Sequence, residues 1–192
     1  MLTLDRPLVM VVEGPLLAQV RVLLPEVQHY ITLYNTPGVD SLGLEVNNIV
    51  DITDHNNYEF IMRISTNIQN NEDFFTDLNN MQVDHDILEH GNFFKNLNNI
   101  QMIRRKHFTK LPLQANYYPL PGAVFIEDDE TRLTILTAQP LGVAALKPGQ
   151  VEIMQDRRLN QDDGRGLGQG VLDNRPTPTS FRLILESKTS KC

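Results

Sequence analysis

The chain has 192 residues, 41% hydrophobic and 21% charged, with a net charge of −7. That length fits one domain or slightly more, and the composition excludes a disordered acidic chain. The acidic balance argues against nucleic acid and anionic membrane as partners, and the single Cys192 excludes an internal disulfide or a thiolate metal cluster.

In chain order, the apolar run Leu8 to Val12 comes first, stopped by Glu13, Gly14 and Pro15. It is far short of the roughly 20 apolar residues of a membrane helix. It follows Asp5-Arg6-Pro7 without a basic leader, so it does not read as a signal peptide either. The seventeen asparagines include no Asn-X-Ser/Thr site.

Strand signals then dominate. Gln19 to Leu23 alternates polar and apolar residues, and His29 to Tyr34 is β-branched and aromatic before an Asn35-Thr36-Pro37-Gly38 turn. Leu42 to Val46 alternates again, and Asn56-Asn57 punctuates the chain ahead of a strand over Tyr58 to Ile64. Val124 to Ile126 and Arg132 to Thr137, separated by Glu127-Asp128-Asp129-Glu130, predict a hairpin. Val151 to Met154 and Phe181 to Glu186 predict two further strands. No segment reads as a helix of three turns. Many short strands between scattered Gly and Pro predict an all-β fold, an antiparallel β-sandwich.

The middle of the chain repeats itself. Phe74-Phe75-Thr76-Asp77-Leu78-Asn79-Asn80-Met81-Gln82 recurs as Phe93-Phe94-Lys95-Asn96-Leu97-Asn98-Asn99-Ile100-Gln101, with six of nine positions identical. Two copies are too few for a solenoid. One copy is expected to belong to the sandwich, with 83–101 a duplicated insertion or an artefact of joined exons.

Several constellations could carry chemistry. Asp84-His85-Asp86-Ile87-Leu88-Glu89-His90 has metal-ligand residue types, but it lies between the copies, where a solvated loop is the expectation. His29, His55 and His107 are isolated and read as hydrogen-bonded structural residues. Tyr117 and Tyr118 could stack on a sugar or close the core, the latter being preferred here.

The densest cluster is Gln161-Asp162-Asp163-Gly164-Arg165-Gly166-Leu167-Gly168-Gln169-Gly170. It is no phosphate cradle, since it lacks Gly-Lys-Ser/Thr and Val171 stands where a dinucleotide fingerprint needs its third glycine. What remains is one guanidinium on a pliable loop, suited to paired hydroxyls or a carboxylate. Arg165 could contact a ligand or pair with Asp162 or Asp163. Those adjacent carboxylates make a poor glycosidase pair, because neighbouring residues of an extended chain point to opposite faces. No catalytic residue and no metal ligand is therefore assigned.

The run Leu111-Pro112-Leu113-Gln114-Ala115-Asn116-Tyr117-Tyr118-Pro119, with Arg132-Leu133-Thr134, Leu141-Gly142-Val143, Asp156-Arg157-Arg158-Leu159 and the glycine-rich segment, resembles the C-terminal part of the Golgi II-type α-mannosidases of glycoside hydrolase family 38. Asn48 to Ile52 and Phe74 to Asn79 also fit. The resemblance implies a β-sandwich like that of galactose mutarotase. It implies an enzyme that trims mannose from N-glycans with retention, using zinc and an Asp nucleophile held in an N-terminal domain of the same chain that is missing here. Within the family, the arginine of the Asp-Asp-X-Arg-Gly motif reaches the sugar, which maps substrate binding onto Arg165, with Asp162, Asp163, Gly164, Gly166 and Gly168 as the supporting loop. The expectation is a fragment cut at both ends, inactive alone and binding no zinc itself, from a Golgi luminal enzyme. It would contact carbohydrate but neither nucleic acid nor membrane. A non-catalytic carbohydrate-binding or scaffold module is the alternative, and a self-sufficient hydrolase using Asp162 and Asp163 is a third reading.

Overall fold

In the computed structural model the residues described are 7–82, 94–97, 100–162, 164, 166 and 168–188. Strands dominate them, and the two helical segments are 3-10 turns over Val39–Leu42 and Leu113–Asn116. The strands belong to two antiparallel sheets, as the alternation predicts. The chain divides into two compact units, residues 1–61 with 154–182 and residues 62–153 with 183–192.

The first unit opens with a meander of β1 (Leu8–Glu13), β2 (Leu17–Leu23), β3 (Val27–Tyr34) and β4 (Leu44–Val50), with the first part of β14 (Thr177–Ser187) beside β4. In the other sheet, the start of β5 (Tyr58–Ser65) lies beside the end of β13 (Gln150–Arg158). The period of two is visible in β4, where Val46, Asn48 and Val50 are buried. Val27, Val50 and Ile52 pack with Leu24, Tyr58 and Phe60, which brings the two sheets face to face. Within this interior Asn48 donates to Gln155 at 3.2 Å and shares its Oδ1 with His29 Nδ1 at 2.5 Å, while Thr179 donates to Gln155 at 2.7 Å. These bonds compensate the cost of burying amides.

The second unit holds β6 (Asp73–Gln82), β7 (Phe94–Leu97), β8 (Ile100–Lys106), β10 (Ala123–Glu127) and β11 (Thr131–Thr137), in the sheet order β11-β10-β6-β8-β7. Its second sheet has β9 (Tyr118–Leu120) and β12 (Leu141–Ala144) beside β13. The predicted hairpin is β10–β11, with Ala123 opposite Leu136. Phe75 stacks on Phe125 at 4.6 Å in a cluster with Met102 and Ala123, and Phe74 on the other face of β6 meets Tyr118 edge-on at 5.6 Å. β6 is thus buried on both faces.

The repeat has two different structures. The first copy lies wholly within β6, whereas the described part of the second copy is split between β7 and β8, paired with Leu97 opposite Ile100. Thr76 and Asp77 of the first copy are fully buried, and the Asp77 carboxylate accepts the N–H groups of Gly122 and Ala123 at 2.9 and 2.8 Å. The second copy has Lys95 and Asn96 at these positions. A lysine in the place of Thr76 would bury an ammonium, which explains why the first copy pairs with β10.

Candidate functional site

The glycine-rich segment links β13 to β14 in the first unit. Its neck is an isolated antiparallel bridge in which Leu159 N–H donates to Val171 C=O at 3.0 Å. A Cβ on Gly170 would stand 2.1 Å from the Leu159 carbonyl oxygen, so only glycine fits there. Behind the neck, Asn174 Nδ2 donates to Asp156 Oδ1 at 2.8 Å and to the Arg157 carbonyl at 2.9 Å. Arg158 Nη1 reaches the Leu172 carbonyl at 2.6 Å and Asn174 Oδ1 at 3.3 Å. Asn174 therefore clips the two arms of the excursion together.

Beyond the neck the requirement for glycine changes its cause. Gly164, Gly166 and Gly168 have φ of +71°, +131° and +68°, and, each glycine and its chain neighbours apart, no heavy atom of the described residues lies within 4 Å of the position a Cβ would take. Backbone conformation, rather than crowding, selects glycine at these three positions. The space beside each is open, and Asp162 is exposed. Asp163, Arg165 and Leu167 lie outside the described residues, as does the Asp84 to His90 cluster, so the expected pairing of Arg165 with Asp162 or Asp163 is not described.

The segment entering the excursion is tied to the stretch between β4 and β5. Asn160 N–H donates to Asn57 Oδ1 at 3.0 Å, and Asn57 has φ +51°, the left-handed region that Asn tolerates better than most residues. That stretch is ordered from within. The Asp51 carboxyl accepts the Thr53 hydroxyl at 2.7 Å and the Thr53 N–H at 3.1 Å, and these bonds hold it below the usual aspartate range. His55 stacks on Tyr58 at 4.4 Å, with Nε2 3.4 Å from Glu26 Oε1. Burial, aided by the Glu26 carboxylate, pushes the Tyr58 phenol up.

The other sequence candidates have structural roles. His29 bonds Asn48 as expected, whereas His107 departs from the hydrogen-bonded role read from sequence, its buried Nδ1 having no bonding partner among the described residues. In the second unit, Tyr117 donates to Glu152 Oε2 at 3.1 Å, where Arg63 Nε also binds Oε1 at 2.7 Å. Tyr118 donates to the Lys106 carbonyl at 2.9 Å. Both tyrosines help close the second unit, as preferred from sequence. Asn57 and Asn174 have no chemical motif around them. Only the left-handed tendency of the Asn56-Asn57 pair could have drawn attention to the first. Among the described residues, no three His, Cys, Asp or Glu side chains gather as a metal site, so the zinc implied by the family finds no ligand set in them. No helix among them is long and apolar enough to cross a membrane.

Residues 2–165 match the family described as glycosyl hydrolases family 38 C-terminal domain. Alpha-mannosidase 2 of Drosophila melanogaster is 45% identical over 189 residues, covering 98% of this chain and 15% of its own length. Alpha-mannosidase 2x of Mus musculus is 44% identical over 184 residues, covering 96% of this chain and 14% of its own. The crystal structure of an alpha-mannosidase from Enterococcus faecalis superposes with a TM-score of 0.61 over 95% of this chain and 22% of that one, at 11% identity, which is a likeness of fold. The chain thus spans about one seventh of the length of its curated relatives. The matched segment, the two β-sheets and the ordered motifs place the chain in glycoside hydrolase family 38, as its C-terminal domain.

Proposed function

We propose that this chain is the part of an α-mannosidase acting on N-glycans that presents the glycine-rich loop to mannose. The observation that carries the reading is the run of three left-handed glycines, Gly164, Gly166 and Gly168, each with open space where a side chain would stand. A ligand can approach such a backbone closely, and Arg165 sits in sequence among these glycines. A guanidinium with five N–H donors suits the adjacent hydroxyls of a mannose ring. Holding the sugar in place lowers the barrier by orientation, while bond cleavage belongs to carboxylates and a zinc ion elsewhere in a longer polypeptide.

On this reading the isolated chain binds mannose without hydrolysing it, and its setting is the Golgi lumen. The segment 83–101 is a duplicated insertion into a single family domain. The test is Arg165→Ala in this chain, followed by titration with methyl α-mannoside, and the matching substitution in full-length Drosophila Alpha-mannosidase 2. Lost affinity and reduced turnover with an unchanged melting temperature are expected. Unchanged sugar binding and kinetics would overturn the assignment. Sugar binding without any effect on turnover would favour a non-catalytic carbohydrate-binding module.

A further inference from the structure

We propose that Asn57 is a positioning residue for the glycine-rich loop, setting the frame in which the loop meets sugar; this rests on the mannose reading above. A segment with four glycines within seven residues has little conformational preference of its own. Its geometry must come from its anchors. On the return side these are evident, since Gly170 packs against Leu159 and Asn174 clips Asp156 and Arg157. On the entry side the first residue past the bridge is Asn160. Its N–H is bonded to a side chain 103 positions away, Asn57 Oδ1, at 3.0 Å.

Asn57 suits this task for two reasons. Its φ of +51° turns the backbone just before β5, a conformation that Gly, Asn and Asp tolerate best. Among these Gly offers no acceptor. The stretch carrying Asn57 is held by the Asp51–Thr53 bonds, by His55 N–H on the Ile52 carbonyl at 3.0 Å, and by Asp51 N–H on the Glu26 carbonyl at 2.9 Å. The anchor is therefore fixed before the loop binds to it. A misplacement of about 1 Å far from the chemistry can cost about a hundredfold in rate, so this one bond has leverage on a sugar contact several residues away.

The experiment uses the 192-residue chain and three variants. Asn57→Gly keeps the left-handed backbone and removes only the acceptor, Asn57→Ala removes both, and Asn57→Asp keeps both. Two readouts are taken: amide hydrogen exchange at Asn160, whose N–H Asn57 holds, and affinity for methyl α-mannoside, with the melting temperature as a check on folding. In Asn57→Gly and Asn57→Ala, exchange at the Asn160 amide should quicken about tenfold, as for a local opening eased by 1.4 kcal/mol. Mannoside affinity should fall by a similar factor, and Asn57→Asp should restore both. Unchanged exchange in Asn57→Gly would overturn the anchoring. Quickened exchange with unchanged mannoside affinity would overturn the positioning role. If the unaltered chain binds no mannoside while the Gly variant still quickens exchange, the anchor stands and the sugar reading falls.

Discussion

The carboxylate of Asp77, fully buried in β6, accepts the N–H of Ala123 at 2.8 Å at the start of β10. The same carboxylate takes the N–H of Gly122, so one side chain of the first repeat copy fixes where the β10 hairpin begins. The second copy carries Asn96 at the equivalent position and Lys95 before it. Converting the first copy to that pattern, with Thr76→Lys and Asp77→Asn together, should cost about 3 kcal/mol or more, from burying an ammonium and weakening two charge-assisted bonds. Urea unfolding of the double variant checks this. A loss below about 1 kcal/mol, within the range of a surface change, would contradict the burial explanation.

Phe125 is the centre of the apolar cluster in the second unit, with its ring stacked on Phe75 and the Arg132 guanidinium 4.6 Å from its centroid. Phe125→Ala should destabilise the protein by about 3–5 kcal/mol, the usual range for emptying such a site. Chemical denaturation measures it, and Phe125→Leu should recover most of the loss.

Asn48 shares its amide between His29 and Gln155 inside the first unit. Replacing it by alanine leaves buried polar partners short of a bond, which should cost about 1–3 kcal/mol. Asn48→Asp should be worse than Asn48→Ala at neutral pH, because it adds a buried charge and removes the donor to Gln155. A thermal melt of the two variants ranks them.

Asp128 supports acid-dependent stability. Its carboxyl accepts the N–H groups of Gln69, Thr131 and Glu130, and these bonds hold it below the usual aspartate range. The unfolded chain therefore binds its proton at higher pH than the folded one. Its stabilisation is complete above the unfolded value of about 3.9 and is lost as pH falls through the folded value. Asp128→Asn should flatten the stability profile below pH ~4, with its main effect at neutral pH. Denaturant midpoints at pH 7 and pH 3 for both proteins test the sign.

Period-two alternation placed β2, β-branched and aromatic residues placed β3, the Asn56-Asn57 break placed β5, and the acidic turn at Glu127–Glu130 placed the β10–β11 hairpin. These signals missed β6 and β8. In β6 both faces are buried and Asp77 occupies an interior position, so the polar signal points the wrong way. In β8 the pair Arg104-Arg105 masks the pattern, yet Arg104 binds Asp73 and Arg105 Nε donates to Thr76 at 3.0 Å across the strands. β1 read only as an apolar run, since all six of its residues are exposed on an edge strand. At the candidate site, the alternating glycines were legible because positive φ leaves a mark on residue type. The Asn57 and Asn174 tethers were not, because a side-chain bond between segments far apart in sequence leaves none.

Titration of the 192-residue chain with methyl α-mannoside, read at the amides of Gly164, Gly166 and Gly168, decides whether this loop meets sugar. Saturable shifts at these amides that disappear in Arg165→Ala, with the fold intact, are expected. Shifts that are absent, or that persist unchanged in Arg165→Ala, would show that the loop does not use this arginine to hold mannose.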